Sequence, residues 1–467
     1  ELNAINILKV LFSIGIHYFL LYLKYNKRMR DLTKGKTFST LFKFAIPLLI
    51  AGVLQQTYNV VDLIVAGKVI GSDALGAIGV TTTLIQFLSS IFWGFGVAIS
   101  SYVGILYGNN EKNKITRSIK TILIFNAGIM LILSLFCIFG ADIILNLLKV
   151  TNDIYEDAKI YFQLFMISLF IQSFIYIINC ILQGLGDSKF PMIITLISGL
   201  GNLLLNLLFL LAFKMGVEGL ALATILSNLF AFILGFIKII KSFKQLEGNL
   251  KIEFDTKLLK EISILALPCI LQQCALYLSS VIVQPIINDL GSDIAAGYSI
   301  AMNVSLIFNA SFHSVSRSLA SYSSQSYGSK KYENFNKGIL YGFLIQIILV
   351  TPMLIACIAW PEPIYSIFLK DNNVGVLPYA IQYSFICIPF AFFWAFGNLM
   401  HSFYKSVKAM NVVLFETGIK LPSAPITVGW IKTCSKGISF IQYSDAITIR
   451  ATQRPIMSRA VESTWVG

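Results

Sequence analysis

Residues 54–68 read LQQTYNVVDLIVAGK, and they set a carboxylate, Asp62, inside an apolar run. On a helix Gln55, Tyr58, Asn59 and Asp62 share one face, while Val60, Val61, Leu63 and Ile64 cover the others. An acid at the centre of a membrane helix costs roughly 2.5–3.5 kcal/mol on insertion scales. Two chemistries would use it. Desolvation favours the neutral form of a carboxyl, so Asp62 would load and release a proton near neutral pH. Alternatively, it would hold sodium together with neighbouring amide and hydroxyl oxygens. The plainer alternative is a structural acid hydrogen-bonded to an adjacent helix. An ionisable residue inside a membrane span reads as functional by default, which favours coupling to a cation.

Further along, SGLGNLLLNLLFL places Asn202 and Asn206 four apart on one face. Asn does not titrate, but it can orient Asp62 or ligate a cation; the alternative is interhelical hydrogen bonding, worth about 0.6 kcal/mol on average. Thr224 and Asn228 are weaker candidates of the same kind. Gln55, Tyr58, Asn59, Gln272 and Gln273 are candidates to line a substrate cavity, although the second half of the chain has no equivalent of Asp62. Pro47, Pro268, Pro285, Pro352 and Pro389 interrupt apolar runs. A proline removes a backbone hydrogen bond and kinks a helix, so Pro47 and Pro268 are candidate bending points. Arg317 either reaches back to the membrane surface or lines a cavity, with the first preferred. His17, His313 and His401 are scattered, and six of seven cysteines lie in or beside apolar runs as small hydrophobes. No HExxH, GxSxG or paired His–Asp spacing occurs. No catalytic residue, no cofactor and no metal are expected, apart from Na⁺ at Asp62 if sodium is the coupling ion.

These residues need a membrane scaffold. Of 467 residues, 56% are hydrophobic and 13% charged, against about 25% charged in ordinary soluble domains. Ten apolar runs are long enough to cross a hydrocarbon layer: Phe44–Val65, Ile78–Leu106, Ile119–Ile138, Ile160–Leu182, Pro191–Phe213, Leu220–Ile237, Ile264–Ile287, Ile294–Ala320, Ile339–Trp360 and Ala380–Met400. They are continuous rather than alternating, which excludes a membrane β-barrel. The net charge of +13 is spread over connecting segments, which argues against nucleic acid as a partner. Counted by side, 23 Lys and Arg (Lys120, Lys238 and Lys405 among them) face 5, so the first side and the N-terminus are expected in the cytoplasm of a multi-pass protein of the inner (cytoplasmic) membrane.

The chain repeats itself. GSDALGA from Gly71 returns as GSDIAAG from Gly291, and SYVGILYG from Ser101 as SYSSQSYG from Ser321, both 220 residues on. Pro47 matches Pro268 at nearly the same offset, and Asn179–Lys189 corresponds to roughly Asn398–Lys408. Internal duplication is a transporter signature. The expected fold is all-α: a six-helix bundle over residues 29–245, a cytoplasmic linker over 246–261, and a second bundle over 262–410 with four of its six helices. Residues 411–467 show no apolar run of membrane length and read as a truncated or frame-shifted tail. Residues 1–28 read as an upstream extension, because MRDLTKGK from Met29 looks like a natural start.

FAIPLLIAGVLQQTYNVVDLIVAGKVIG, NCILQGLGDSKFPMI and GNLLLNLLFLLAFKMGVEGLALATILSN resemble bacterial transporters of the multidrug and toxic compound extrusion (MATE) family, over about Asp31–Met410. The resemblance implies twelve helices in two bundles around a V-shaped cavity. It implies export of organic cations or amphipathic drugs against H⁺ or Na⁺ by alternating access. The family's first-helix acid falls on Asp62, its fifth-helix Asn–Asp pair on Asn202 and Asn206, and its sixth-helix Thr on Thr224; Asn206 thus replaces the second acid. Small-molecule drugs or organic cations and the lipid bilayer are the expected partners of a monomer. The alternative within the wider superfamily is a flippase for lipid-linked precursors, which would want a strongly cationic cavity.

Overall fold

The computed structural model describes residues 29–70, 72–148, 150, 152–246, 251–288, 292–366, 376–387, 390–410 and 412–413; of these, the side chains at 59–68, 72–75, 280–286, 288, 292–293 and 386–387 lie outside the description. The described elements are helical throughout: α1 (Thr37–Val69), α2 (Ser72–Gly108), α3 (Lys112–Phe139), α4 (Ala141–Leu147), α5 (Asn152–Gly184), α6 (Lys189–Leu207), α7 (Val217–Gln245), α8 (Thr256–Asn288), α9 (Ser292–Gly328), α10 (Asn334–Ala359), α11 (Pro361–Ser366), α12 (Leu377–Cys387) and α13 (Ala391–Ser406). A π-helical turn, Leu208–Ala212, extends α6.

Nine of these are long and apolar enough to cross a membrane among the described residues. The tenth expected span, Ala380–Met400, is instead shared between α12 and α13. The helices outrun the apolar stretches that announce them, because polar residues continue the helical hydrogen bonding at the ends. Lysines that the sequence places in connecting segments therefore lie on helices: Lys120 on α3, Lys238 on α7 and Lys405 in the last turn of α13, all buried.

Within the first half α5 is central, packing on α2, α3 and α7, while α1 packs on α6. Within the second, α9 packs on α10, α12 and α13. The first helix of each half also reaches into the other half. The start of α1 shares an apolar core with α9 and α10 through Leu41, Phe44, Leu48, Val315, Leu319 and Ile345. In return, α8 lies along α2 and adds Ile262, Ala266 and Cys269 to the core of the first half.

The repeated SYVGILYG and SYSSQSYG segments meet across a pseudo-two-fold axis. A Cβ on Gly104 would lie 2.1 Å from Ser324 Oγ, its own counterpart in the repeat. A Cβ on Gly108 would meet the Gln325 carbonyl oxygen at 2.1 Å, and one on Gly328 would meet the Ile105 carbonyl oxygen at 2.0 Å. These two contacts are one contact made twice, as an isologous interface requires. The turns beyond also match: Asn110 and Lys330 both adopt positive φ, 60° and 57°. Glu111 N–H donates to Leu106 O as Lys331 N–H does to Ser326 O. At the ends of α5 and α13 the equivalent turns are Asp187 N–H to Leu182 O and Ala409 N–H to Tyr404 O. Here the equivalence runs about one helical turn later than the sequence alignment of Asn179–Lys189 with Asn398–Lys408.

Candidate functional site

Asp62 and Asn59 lie in the last third of α1, where side chains are outside the described residues, so the surroundings come from their neighbours. One turn earlier, the Tyr58 ring packs against α6: a Cβ on Gly199 would sit 1.7 Å from Tyr58 Cε2. Only a glycine leaves room for that ring. α1 and α6 run in the same direction, so position 62, four residues beyond Tyr58, is level with residues 202–203, three or four beyond Gly199. The fold thus brings the register of Asp62 beside the Asn pair. The Tyr58 hydroxyl is buried and has no hydrogen-bond partner among the described residues.

The Asn pair sits in a ladder of amides and hydroxyls spanning three helices. Asn206 Nδ2 donates to Asn202 Oδ1 at 3.2 Å, and Asn202 Nδ2 donates to Thr224 Oγ1 on α7 at 3.2 Å. The Thr224 hydroxyl in turn donates to the Leu220 carbonyl at 2.9 Å. One turn lower, Ser198 donates to Asn228 Oδ1 at 3.4 Å, and Asn228 Nδ2 donates to Ser168 Oγ on α5 at 2.9 Å. Asn202 and Asn206 are 8% and 1% exposed, so these groups are held out of bulk water and depend on protein partners. The π-helical turn follows the ladder directly at Leu208; such turns recur at functional sites. The result is an oxygen-rich, uncharged wall, suited to orienting a carboxyl or sharing a small cation.

Ser198 and Ser168 belong to this ladder as well, beyond the candidates that spacing picks out. Ser198 has a weak signal, four residues before Asn202 on the same stripe. Ser168 has Gln172 four residues on, and that pair is the signal that could have found it.

The other candidates disperse. Gln55 is exposed. Gln272 turns into the second half, 2% exposed, with Nε2 3.5 Å from His401 Nδ1 on α13; Gln273 is half-buried. Pro47 lies within α1. Pro268 lies within α8 beside the crossing with α2, where a Cβ on Gly94 would meet Ile270 Cα at 2.5 Å. Arg317 on α9 is exposed, beside the Ser318–Leu41 contact, and within electrostatic range of Tyr176 and Cys180 on α5. Among the described residues no group of three or more His, Cys, Asp or Glu could hold a metal.

On the lysine-rich side the two halves are tied together. Gln325 Oε1 accepts from Leu32 N–H at 2.8 Å, and its Nε2 donates to the Gly184 carbonyl at 2.9 Å, tying α9 to the N-terminal segment and to α5. Ser318 donates to the Leu41 carbonyl at 2.9 Å, and Thr37 and Tyr322 hydroxyls are 3.1 Å apart.

The MatE family profile matches residues 47–208 and 268–431, one segment in each half. The probable multidrug resistance protein YoeA of Bacillus subtilis is 24% identical over 83% of this chain and 85% of its own length. The multidrug export protein MepA of Staphylococcus saprophyticus is 22% identical over 58% of this chain and 60% of its own. In fold, a MOP superfamily transporter from Pyrococcus furiosus superposes with TM-score 0.80, 19% identity and coverage of 87% of this chain and 92% of that one. The Vibrio cholerae MATE transporter VcmN, in its bent form, superposes with TM-score 0.71 at 18% identity, covering 82% and 88%. With both halves matched over more than half of its residues, and with the repeat visible in its own structure, the chain belongs to the MatE family of multidrug and toxic compound extrusion transporters.

Proposed function

We propose that this protein exports amphipathic drugs, organic cations among them, across the cytoplasmic membrane in exchange for H⁺ or Na⁺, with its N-terminus and lysine-rich loops in the cytoplasm. It moves solutes and makes or breaks no covalent bonds. The observation that carries the reading is the Asn202–Asn206–Thr224 ladder, which presents polar groups at the level of an acid-bearing position on α1. The relatives' names, multidrug resistance and multidrug export, support the substrate class. In the proposed alternating-access cycle, the contacts that tie the halves together on the lysine-rich side part and re-form. Binding the cation at Asp62 from outside changes the charge beside the ladder and biases α1 against α6; release inside restores it. A proton moving inward yields about 2.3 kcal/mol per 100 mV, which is available to drive the drug outward.

The test is drug accumulation in everted membrane vesicles under an imposed pH or sodium gradient. Accumulation should collapse when one of the two gradients is removed, and that gradient names the ion. Accumulation indifferent to both gradients would refute the exchange mechanism.

A further inference from the structure

The repeat lays the chain that leads into each half's first helix across the opposite half, and the two straps differ in charge. Residues 253–261 run over α3. Glu253 Oε2 stands 3.9 Å from Lys120 Nζ, the Asp255 carboxylate pairs with Arg117, and Glu261 Oε2 lies 3.0 Å from Lys114 Nζ. The bases recur at every third residue of α3 and therefore stay near one face, and the acids meet them in antiparallel order. Uncharged donors and acceptors reinforce the path. Asp255 N–H donates to Thr121 Oγ1 at 3.1 Å, and the Tyr102 hydroxyl on α2 donates to Glu261 Oε2 at 2.8 Å.

The equivalent strap ahead of α1 crosses to the second half through contacts that involve no carboxylate. Leu32 N–H donates to Gln325 Oε1 at 2.8 Å, and Lys331 Nζ donates to Thr33 Oγ1 at 3.0 Å. Tyr322, which repeats Tyr102 220 residues on, has its hydroxyl 3.1 Å from Thr37 Oγ1. The repeat offset is 219 at the helix starts, Thr37 and Thr256, and 221 at Pro47 and Pro268. Counted back by 219–221, Glu253, Asp255 and Glu261 fall on residues 32–36 and 40–42, LTKGK and TLF, with no acid among them. Counted forward by 220, Lys114, Arg117 and Lys120 fall on Asn334, Lys337 and Leu340. One of two equivalent places thus carries an ionic fastening, and the fold does without it at the other.

The ionic strap bridges the halves. α3 belongs to the first, whereas α8 leads the second and is tied to α13 there, Gln272 Nε2 lying 3.5 Å from His401 Nδ1. Dissolved salt reaches the strap. Arg117 and Glu261 are exposed, and a cleft of about 470 Å³ opens between Asn110–Arg117 on one side and Leu246 and Leu258 on the other. Single exposed ion pairs contribute little, but several joined along one helix act as a network. Salt weakens such a network, because the screening length falls from about 30 Å at 0.01 M to about 3 Å at 1 M.

We infer that residues 253–261 are an ionic latch: paired with α3 they hold the lysine-rich side shut, and the ionic strength on that side sets how often it opens. The inference rests on the export reading only in taking this opening to be a step of transport and this side to be the cytoplasm; the latch itself is testable without transport.

Hydrogen exchange of the full chain in non-ionic detergent, read by mass spectrometry in potassium chloride without sodium, tests it. From 0.01 M to 1 M salt the amides of residues 253–262 should exchange about tenfold faster. Those of 101–110 and 321–331, where the halves press together, should quicken with them. Lys114→Gln combined with Arg117→Gln should exchange at low salt about as fast as the parent does at high salt, and should respond to salt by less than about twofold. Lys114→Glu should also lose low-salt protection, and adding Glu261→Lys, which rebuilds the pair with its charges reversed, should restore it; this rescue separates loss of the latch from loss of the fold. Indifference of the parent's amides to salt would overturn the latch. So would faster exchange at 253–262 with none at 101–110 and 321–331, since the strap would then hold nothing shut, and so would failure of the reversed pair to restore protection. If the export reading is wrong, drug accumulation in vesicles ignores both gradients while these amides still answer to salt; if the latch is wrong, gradient-driven accumulation continues while they do not.

Discussion

At the scale of single residues, the work of a carboxylate at a helix end can be read from its contacts. Asp255 stands at the start of α8, where its Oδ1 accepts from the backbone N–H of Lys257 at 3.0 Å and of Leu258 at 3.2 Å, while its other oxygen pairs with Arg117. The Leu258 N–H is the main cause holding this carboxyl below its ordinary 3.8, with Lys257 N–H and Arg117 adding to it against a desolvation that acts the other way. A lowered folded value means the stabilisation is complete above the unfolded value and is lost as pH falls through the folded one. Asp255→Asn should therefore lower the melting temperature at pH 7, and the gap to the parent should close only on acidification below 3.8. A gap that is unchanged in acid would show that the ionised carboxylate is not what caps α8. Position 62 lies within α1, level with residues 202–203 of α6. These polar positions were legible in the sequence, because polar side chains at a spacing of four stand out in apolar runs. Lys405 was not legible as a buried residue: hydropathy ends the span near Met400, whereas the helix runs on to Ser406 and its last turn packs the lysine out of solvent.

At the scale of elements, α1 and α6 are held in register by one close approach. Gly199 admits the Tyr58 ring, and any larger side chain would drive the two helices apart. Gly199→Val should cost about 1–3 kcal/mol as an overpacked contact, reduce efflux, and be largely rescued by Tyr58→Ala, which removes the colliding ring. Thermal stability of the two single variants and the double variant checks this. Additive losses in the double variant would show that the ring is not what Gly199 accommodates. The helices themselves were mostly predictable, since nine of the ten expected spans correspond to long helices. What periodicity could not reveal was their pairing. Hydropathy says that α1 crosses the membrane, but not that its first turns share a core with α9 and α10 while Tyr58 packs on α6. The exchange of first helices between halves depends on contacts far apart in sequence, and no local pattern encodes it.

At the scale of the whole molecule, the repeat is a mechanical device. Two copies of one small-residue segment press together at the lysine-rich side, so opening that side means separating Gly104 from Ser324 and Gly108 from Gln325. A Cβ on Gly104 would lie 2.9 Å from Ser324 Cβ, slightly closer than the roughly 3.5–4.5 Å of a disulfide, so a small outward shift would bring two cysteines into bonding range. Gly104→Cys combined with Ser324→Cys should cross-link under oxidation, stop drug accumulation in everted vesicles, and recover with dithiothreitol. Full transport by the cross-linked protein would mean that this contact never opens. The duplication was visible as matching segments 220 residues apart; that the segments face each other required coordinates. On the proposed mechanism, the acid on α1 couples ion entry to drug exit across this whole assembly. Asp62→Asn tests that coupling most directly, measured as gradient-driven drug accumulation in everted vesicles alongside drug binding to the purified protein. We predict that binding survives and gradient-driven accumulation is lost; accumulation at the parent's rate, with the same response to the gradient, would contradict the coupling role.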